Sequence, residues 1–127
     1  MTPDEIQPIV DYAYPKIQKY YGTGKLSIPP IKFHHDIYAR LSGDEEQSGE
    51  HSSTTKAQYD EDTNVIYIYY PNMENEEDVL RALIHEYTHY KQPDGIDQWY
   101  YDRGYTYKSN PAELEALKAE EQWFKFI

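Results

Sequence analysis

The run Leu83-Ile84-His85-Glu86-Tyr87-Thr88-His89-Tyr90 constrains this chain more than any other stretch. Two histidines four positions apart share one helix face, one turn apart, so both imidazoles can reach one metal ion. A Glu directly after the first His lies beside that metal, placed to take a proton from a metal-bound water and hand it on. The arrangement requires a helix, and its neighbours predict one. Asn75 is a good N-cap, and Glu76, Glu77 and Asp78 fill a first turn where acids favour the positive helix end. Asp78 stands at the capping-box position. Val79, Leu80, Leu83, Ile84 and Tyr87 recur at helical spacing. Gln92-Pro93-Asp94-Gly95 then ends the pattern. The motif is expected on an amphipathic helix from about Asn75 to Lys91 with one flank buried. A five-residue match also arises by chance on solvated helices, but such helices rarely carry so many aliphatics around the two histidines.

A catalytic zinc typically takes three protein ligands and leaves one position for water. The chain has no Cys, and its other histidines, His34, His35 and His51, all lie upstream. Downstream, Asn110 reads as an N-cap and Pro111 as the first residue of a helix expected to reach about Phe126. Steps of about 100° place Ala116, Leu117, Ala119, Trp123, Phe124 and Ile127 on a broad apolar side. Lys118, Gln122, Lys125 and Glu115 occupy the other. Glu113 and Glu120 fall on the apolar side, where a carboxylate is costly unless something compensates it, as a metal ion does. Glu113 is the leading candidate for the third ligand and Glu115 the alternative. A capping-box role for Glu113, bonding back to the Asn110 amide, stays open. Glu120 either orients a histidine through its other ring nitrogen or forms an ordinary salt bridge.

On these residues the chain resembles the gluzincins, zinc metallopeptidases with two His and one Glu as ligands. Glu113-Leu114-Glu115-Ala116 is similar to the third-ligand helix of the small gluzincins and of the ImmA/IrrE-like peptidases. In those families the first Glu of the pattern binds zinc and the Ala lets the two helices approach. The relatives often carry Asp or Asn directly after that Ala, where this chain has Leu117. The resemblance covers about Thr54 to Trp123. It implies one Zn2+ per chain on His85, His89 and Glu113, with Glu86 as general base for water-mediated hydrolysis of a peptide or protein substrate, a regulatory protein among the candidates. Peptidases of this class use a Tyr or His near the zinc to stabilise the oxyanion of the tetrahedral intermediate. Among fifteen tyrosines, Tyr100, Tyr101, Tyr105 and Tyr107 cluster with Trp99 between the two helices. Tyr105 and Tyr107 are the candidates for that role, against plain packing over the core.

The remaining elements predict a single α+β domain over residues 1–127, a minimal zincin-like fold. Its expected parts are a small mixed sheet, an edge strand over the HExxH helix, and a C-terminal helix bearing the third ligand. Pro3 to about Tyr21 reads as a helix with Ile6, Ile9, Val10, Ala13 and Ile17 on one stripe and a kink at Pro15. Ile28–His34 reads as a strand and Asp36–Leu41 as a short turn of helix. Ser42–Ser53, nearly devoid of apolar residues, reads as a mobile loop. Thr54–Tyr59 and Asn64–Tyr70 read as two strands of a hairpin joined by Asp60–Thr63. The second is apolar on both faces and should be central; the first is polar and suits an edge. In zincins such an edge strand pairs with extended substrate, giving affinity with little sequence preference.

The formal charge of −11 argues against binding nucleic acid through its phosphates. It suits a solvated acidic surface or cationic substrates. No apolar run is long enough to span a bilayer. The acidic start Met-Thr-Pro-Asp-Glu lacks the form of a signal peptide, so a cytoplasmic location without membrane contact is expected. The absence of Cys is compatible with a reducing compartment. Two other readings stand beside the peptidase. One is a catalytically idle zincin fold that binds proteins through its tyrosine-rich segment, although an intact Glu86 gives a binding module nothing. The other is a latent peptidase whose Trp123–Ile127 tail occupies its own cleft, although those aromatics also suit core packing.

Overall fold

The computed structural model describes residues 1–24, 26–45 and 54–127. Most of the loop expected over 42–53, and His51 with it, lies outside the described residues. Helix α1 (Pro3–Tyr21) starts at a Thr2 capping box closed by Glu5 and buries Ile6, Val10, Ala13, Tyr14 and Ile17. It runs unbroken through both Pro8 and Pro15, where a kink was expected at Pro15. Both prolines, and Asp4 and Asp11 four residues before them, are on the exposed face, so water can serve the carbonyls that lose a partner.

Strand β1 (Ile31–His34) and helix α2 (Ile37–Ser42), capped by Asp36, follow. Strands β2 (Ala57–Asp60) and β3 (Val65–Tyr69) form the hairpin, with Asn64 at its turn in the left-handed region, φ 55°. The sheet order is β1-β3-β2, with β1 parallel and β2 antiparallel to β3. All five β3 residues are buried, as its two apolar faces predict. The shorter β2 is an edge strand. Lys56 accepts from the Tyr69 amide at 3.0 Å, and Gln58 stands opposite Tyr67. Alternation along the ladder therefore turns the backbone groups of Ala57 and Tyr59 away from β3.

Helix α3 (Glu76–Lys91) begins where expected: Asn75 accepts the Asp78 amide at 2.9 Å. Val79, Leu80, Leu83, Ile84 and Tyr87 are all buried, and the helix packs against α1, β2 and β3. Buried tyrosines tie α3 and α1 to the connection ahead of β1. Tyr87 donates to the Gly22 carbonyl (2.6 Å), Tyr14 to Pro29 (2.6 Å) and Tyr90 to Leu26 (2.5 Å). Tyr90 also accepts the Gly24 amide, and a Cβ at Gly24 would lie 3.1 Å from its ring, a tight contact that would need the ring to give by a few tenths of an ångström.

Helix α4 (Ile96–Tyr101) was not expected, and helix α5 (Pro111–Glu120) is shorter than its predicted extent. A 3₁₀ turn over Trp123–Phe126 follows α5. That break shifts the helical phase. Phe126 is buried against the Tyr20 and Tyr21 rings, at 5.6 and 6.1 Å, whereas Phe124 and Ile127, predicted apolar-side residues, are exposed. Burying such a ring is worth about 1.5–3 kcal/mol, enough to hold the tail on α1 and α3. Leu117, also predicted on the apolar side, is exposed within α5 itself. Among the described residues no helix is long and apolar enough to cross a membrane.

Candidate metal centre and cleft

Helix α3 presents His85 and His89 one turn apart, and the start of α5 brings Glu113 to them. Glu113 Oε1 lies 2.6 Å from His89 Nε2, and Oε2 lies 3.2 Å from His85 Nε2. The two Nε2 atoms are 3.3 Å apart. The three groups offer ligand atoms that all lie within 4.8 Å of one another, a cluster that could hold a metal ion. Helix α5 can approach because Ala112 and Ala116, both buried, present only methyl groups on the same side as Glu113.

The outer ring nitrogens decide whether the cluster suits a metal. His85 Nδ1 faces Glu120 Oε2 at 2.9 Å. His89 Nδ1 faces Gln92 Oε1 at 2.8 Å, and the Gln92 amide is oriented because its Nε2 donates to the Ala112 carbonyl at 2.9 Å. Both Nδ1 atoms thus face acceptors and carry the proton in a neutral ring, which leaves both Nε2 lone pairs directed at one point beside the Glu113 carboxylate. The donor set fits a divalent cation. Without one, protons take its place. Burial opposes charge on the rings, but hydrogen bonds to Glu113 and Glu120 raise His85 to about 10, and Glu113 likewise raises His89. Against its own burial, the same histidines hold the Glu113 carboxyl well below the usual range.

These contacts decide between the roles open to the acids of α5. Asn110 caps the helix by accepting the Ala112 amide, and its own amide donates to Thr106, so Glu113 makes no capping box. Glu115 is exposed and lies away from the histidines, as its polar phase predicts. Glu120 orients His85, and its second oxygen lies 3.5 Å from Arg81. The carboxylate at that histidine therefore comes seven residues after Glu113, with Leu117 at the intervening position lining an adjoining pocket.

Glu86 is buried beside the cluster, and its Oε1 accepts the Tyr59 backbone amide at 2.9 Å. Burial raises its carboxyl to about 7, against the opposing pull of His85, His89 and that amide. A cleft of about 500 Å³ runs between the outward edge of β2 and the metal cluster. Tyr107 lines it, largely exposed. Partial burial and the adjacent Glu113 carboxylate, with which it hydrogen-bonds, raise its phenol to about 12. Tyr105 packs edge-on against Tyr100, ring centres 5.2 Å apart, and is absent from the cleft lining. His34 pairs with Glu45 and His35 packs on Tyr70, both away from the cleft. No residue of the Trp123–Ile127 tail lines the cleft.

Sequence reasoning missed Gln92, although its place three residues after His89 on one helix face is a readable signal. It also missed Asp97, which lines the cleft from α4 together with Tyr101 of the tyrosine cluster. A helix of under two turns has too little periodicity to place it. Comparison with protein families, with curated proteins and with solved structures finds no match to this chain.

Proposed function

We propose that this chain is a zinc-dependent metallopeptidase of the gluzincin type, hydrolysing peptide bonds in extended peptides or flexible protein segments. One observation carries the reading: two histidine nitrogens and a carboxylate converge on a point beside a buried glutamate, in a cleft bordered by an open strand edge. Two imidazoles and one carboxylate form a donor set used by catalytic zinc, which keeps a further position open. When bound, the metal supplies Lewis acidity, lowering the pKa of a water and polarising a carbonyl.

The chain's own residues do the rest. His85, His89 and Glu113 hold the ion, with Glu120 and Gln92 fixing the ring orientations. Glu86, with a carboxyl near neutrality, takes the proton from the attacking water and returns it to the leaving amine. The Tyr59 amide keeps Glu86 turned toward the cleft. The Tyr107 hydroxyl is placed to donate to the oxyanion. The outward backbone groups of Ala57 and the Tyr59 carbonyl offer pairing to an extended substrate. The test is a mixed peptide library incubated with the purified protein. Cleavage blocked by a chelator and restored by zinc is expected; no cleavage by the zinc-loaded protein would overturn the proposal in favour of a binding module.

A further inference from the structure

The cleft does not end at the metal cluster. A second pocket of about 400 Å³ adjoins it, sharing Thr55, Ala57, His85, Glu86 and Tyr107 with the main cleft. An extended chain laid along the β2 edge past the metal brings side chains to both. The two differ in lining. The main cleft carries Glu61, Asp97 and Gln98 towards the end of α3. The second pocket is bordered by carbon from three elements. Ala57 of β2 and Ala82 of α3, one turn before Glu86, fill little space and leave the gap between strand and helix open. Leu117 borders it from α5 and is 44% exposed, an apolar side chain left uncovered beside the metal cluster. It is free to stand there because Glu120, nearly one turn further on, supplies the carboxylate at His85.

The charged side chains around this pocket are committed to one another. Lys56 pairs with Asp78 at 3.1 Å, and Arg81 with Glu77 at 2.8 Å and Glu120 at 3.5 Å. Glu120 also holds His85, and Glu86 accepts the Tyr59 amide. A charged group entering would have to break one of these contacts to find a partner. An apolar group needs only to displace water from Leu117 and the two alanine methyls, which is favourable in itself.

We propose that the second pocket is a subsite for an uncharged, apolar side chain of the substrate, and that Leu117 sets this preference. The inference rests on the peptidase reading only in taking the cleft as a peptide site. Its test uses binding and needs no turnover. Full-length, zinc-loaded Glu86→Gln protein is titrated with alanine pentapeptides blocked at both ends, each carrying Leu, Asn, Asp or Lys at one scanned position. Leu and Asn are close in shape, so their difference reads polarity. At one position Leu should bind roughly tenfold or more tighter than Asn, the scale of burying an aliphatic side chain. Asp and Lys should gain nothing over Asn there, because the charges around the pocket already have partners. Leu117→Asn should erase the preference for Leu, and Leu117→Met should keep it. Leu117→Ser replaces Leu117→Asn if that variant does not fold. Zinc affinity of the Leu117 variants, by chelator competition, should match the parent, since Glu120 still orients His85. Zinc lost with Leu117 would make it a support of the metal centre and overturn the assignment. No preference for Leu in the parent, no binding of any peptide, a preference for Asp or Lys, or a Leu preference that survives Leu117→Asn overturns the subsite. Library cleavage without such a preference sinks this inference alone, whereas a preference in a protein that cleaves nothing sinks the peptidase alone.

Discussion

Glu120→Ala tests whether the metal centre depends on its supporting contacts as the geometry requires. The Glu120 carboxylate lies 2.9 Å from His85 Nδ1 and is the acceptor that fixes this ring and its tautomer. Removing it frees the ring to rotate and lowers the basicity of Nε2. Losing such an outer partner typically costs 10–100-fold in metal affinity, or about 1.4–2.8 kcal/mol. Glu120→Gln keeps a neutral oxygen acceptor and should fall near the low end. The fold should persist, although the metal-free form also loses Glu120's share of the His85 ion pair. Arg81 retains Glu77 at 2.8 Å when Glu120 is gone, and a partly exposed ion pair is worth about 1 kcal/mol or less. Zinc affinity would be measured by competition with a chromophoric chelator, with circular dichroism of the metal-free proteins as the control for folding. An Ala variant that binds zinc as tightly as wild type refutes the reasoning, because His85 would then be positioned by packing alone.

Three further outcomes follow from the same geometry. Glu113→Ala should weaken zinc binding far more than Glu115→Ala by the same chelator competition; the reverse order would make Glu115 the ligand. Tyr107→Phe should keep zinc and lower kcat by roughly a hundredfold, the scale of one lost oxyanion donor, while Tyr105→Phe stays near wild type; equal effects in a peptide-cleavage assay would remove Tyr107 from the chemistry. The metal-free protein should lose stability as pH rises from 6.5 towards 10. The folded state raises His85 from 6.5 to about 10 through Glu113 and Glu120, against burial. That stabilisation is complete below 6.5 and lost as the folded state gives up the proton. Melts across this range should show a falling Tm that excess zinc flattens, since both rings are then neutral ligands; a rising Tm would contradict the assignment.

The parts that sequence made legible are those with long periods or strong punctuation. Helix α3 carried about two and a half turns of apolar repeat, Val79 to Tyr87, between an Asn cap and a Pro-Gly stop, so its extent and its buried flank were readable. Glu113 was separable from Glu115 because neighbours on a helix differ in phase, and the first turn of α5 is regular. The central and edge strands followed from which faces were apolar. What was hidden depends on tertiary context. Helix α4 is six residues long, too short for periodicity. The end of α5 at Glu120 has no Gly or Pro to mark it, so extrapolated phase misplaced Phe124 and Ile127. Strand β2 begins at Ala57 because register with β3 sets it, while Thr54 and Thr55 have equal β propensity.

Glu86→Gln tests the central claim most directly. The substitution keeps the size of the side chain and an oxygen to accept the Tyr59 amide, but the group no longer accepts a proton. Zinc should remain at about one per chain, since Glu86 is not a ligand. Hydrolysis of a peptide that the wild type cleaves should fall by roughly a hundredfold or more. Undiminished cleavage by zinc-loaded Glu86→Gln protein would contradict the account.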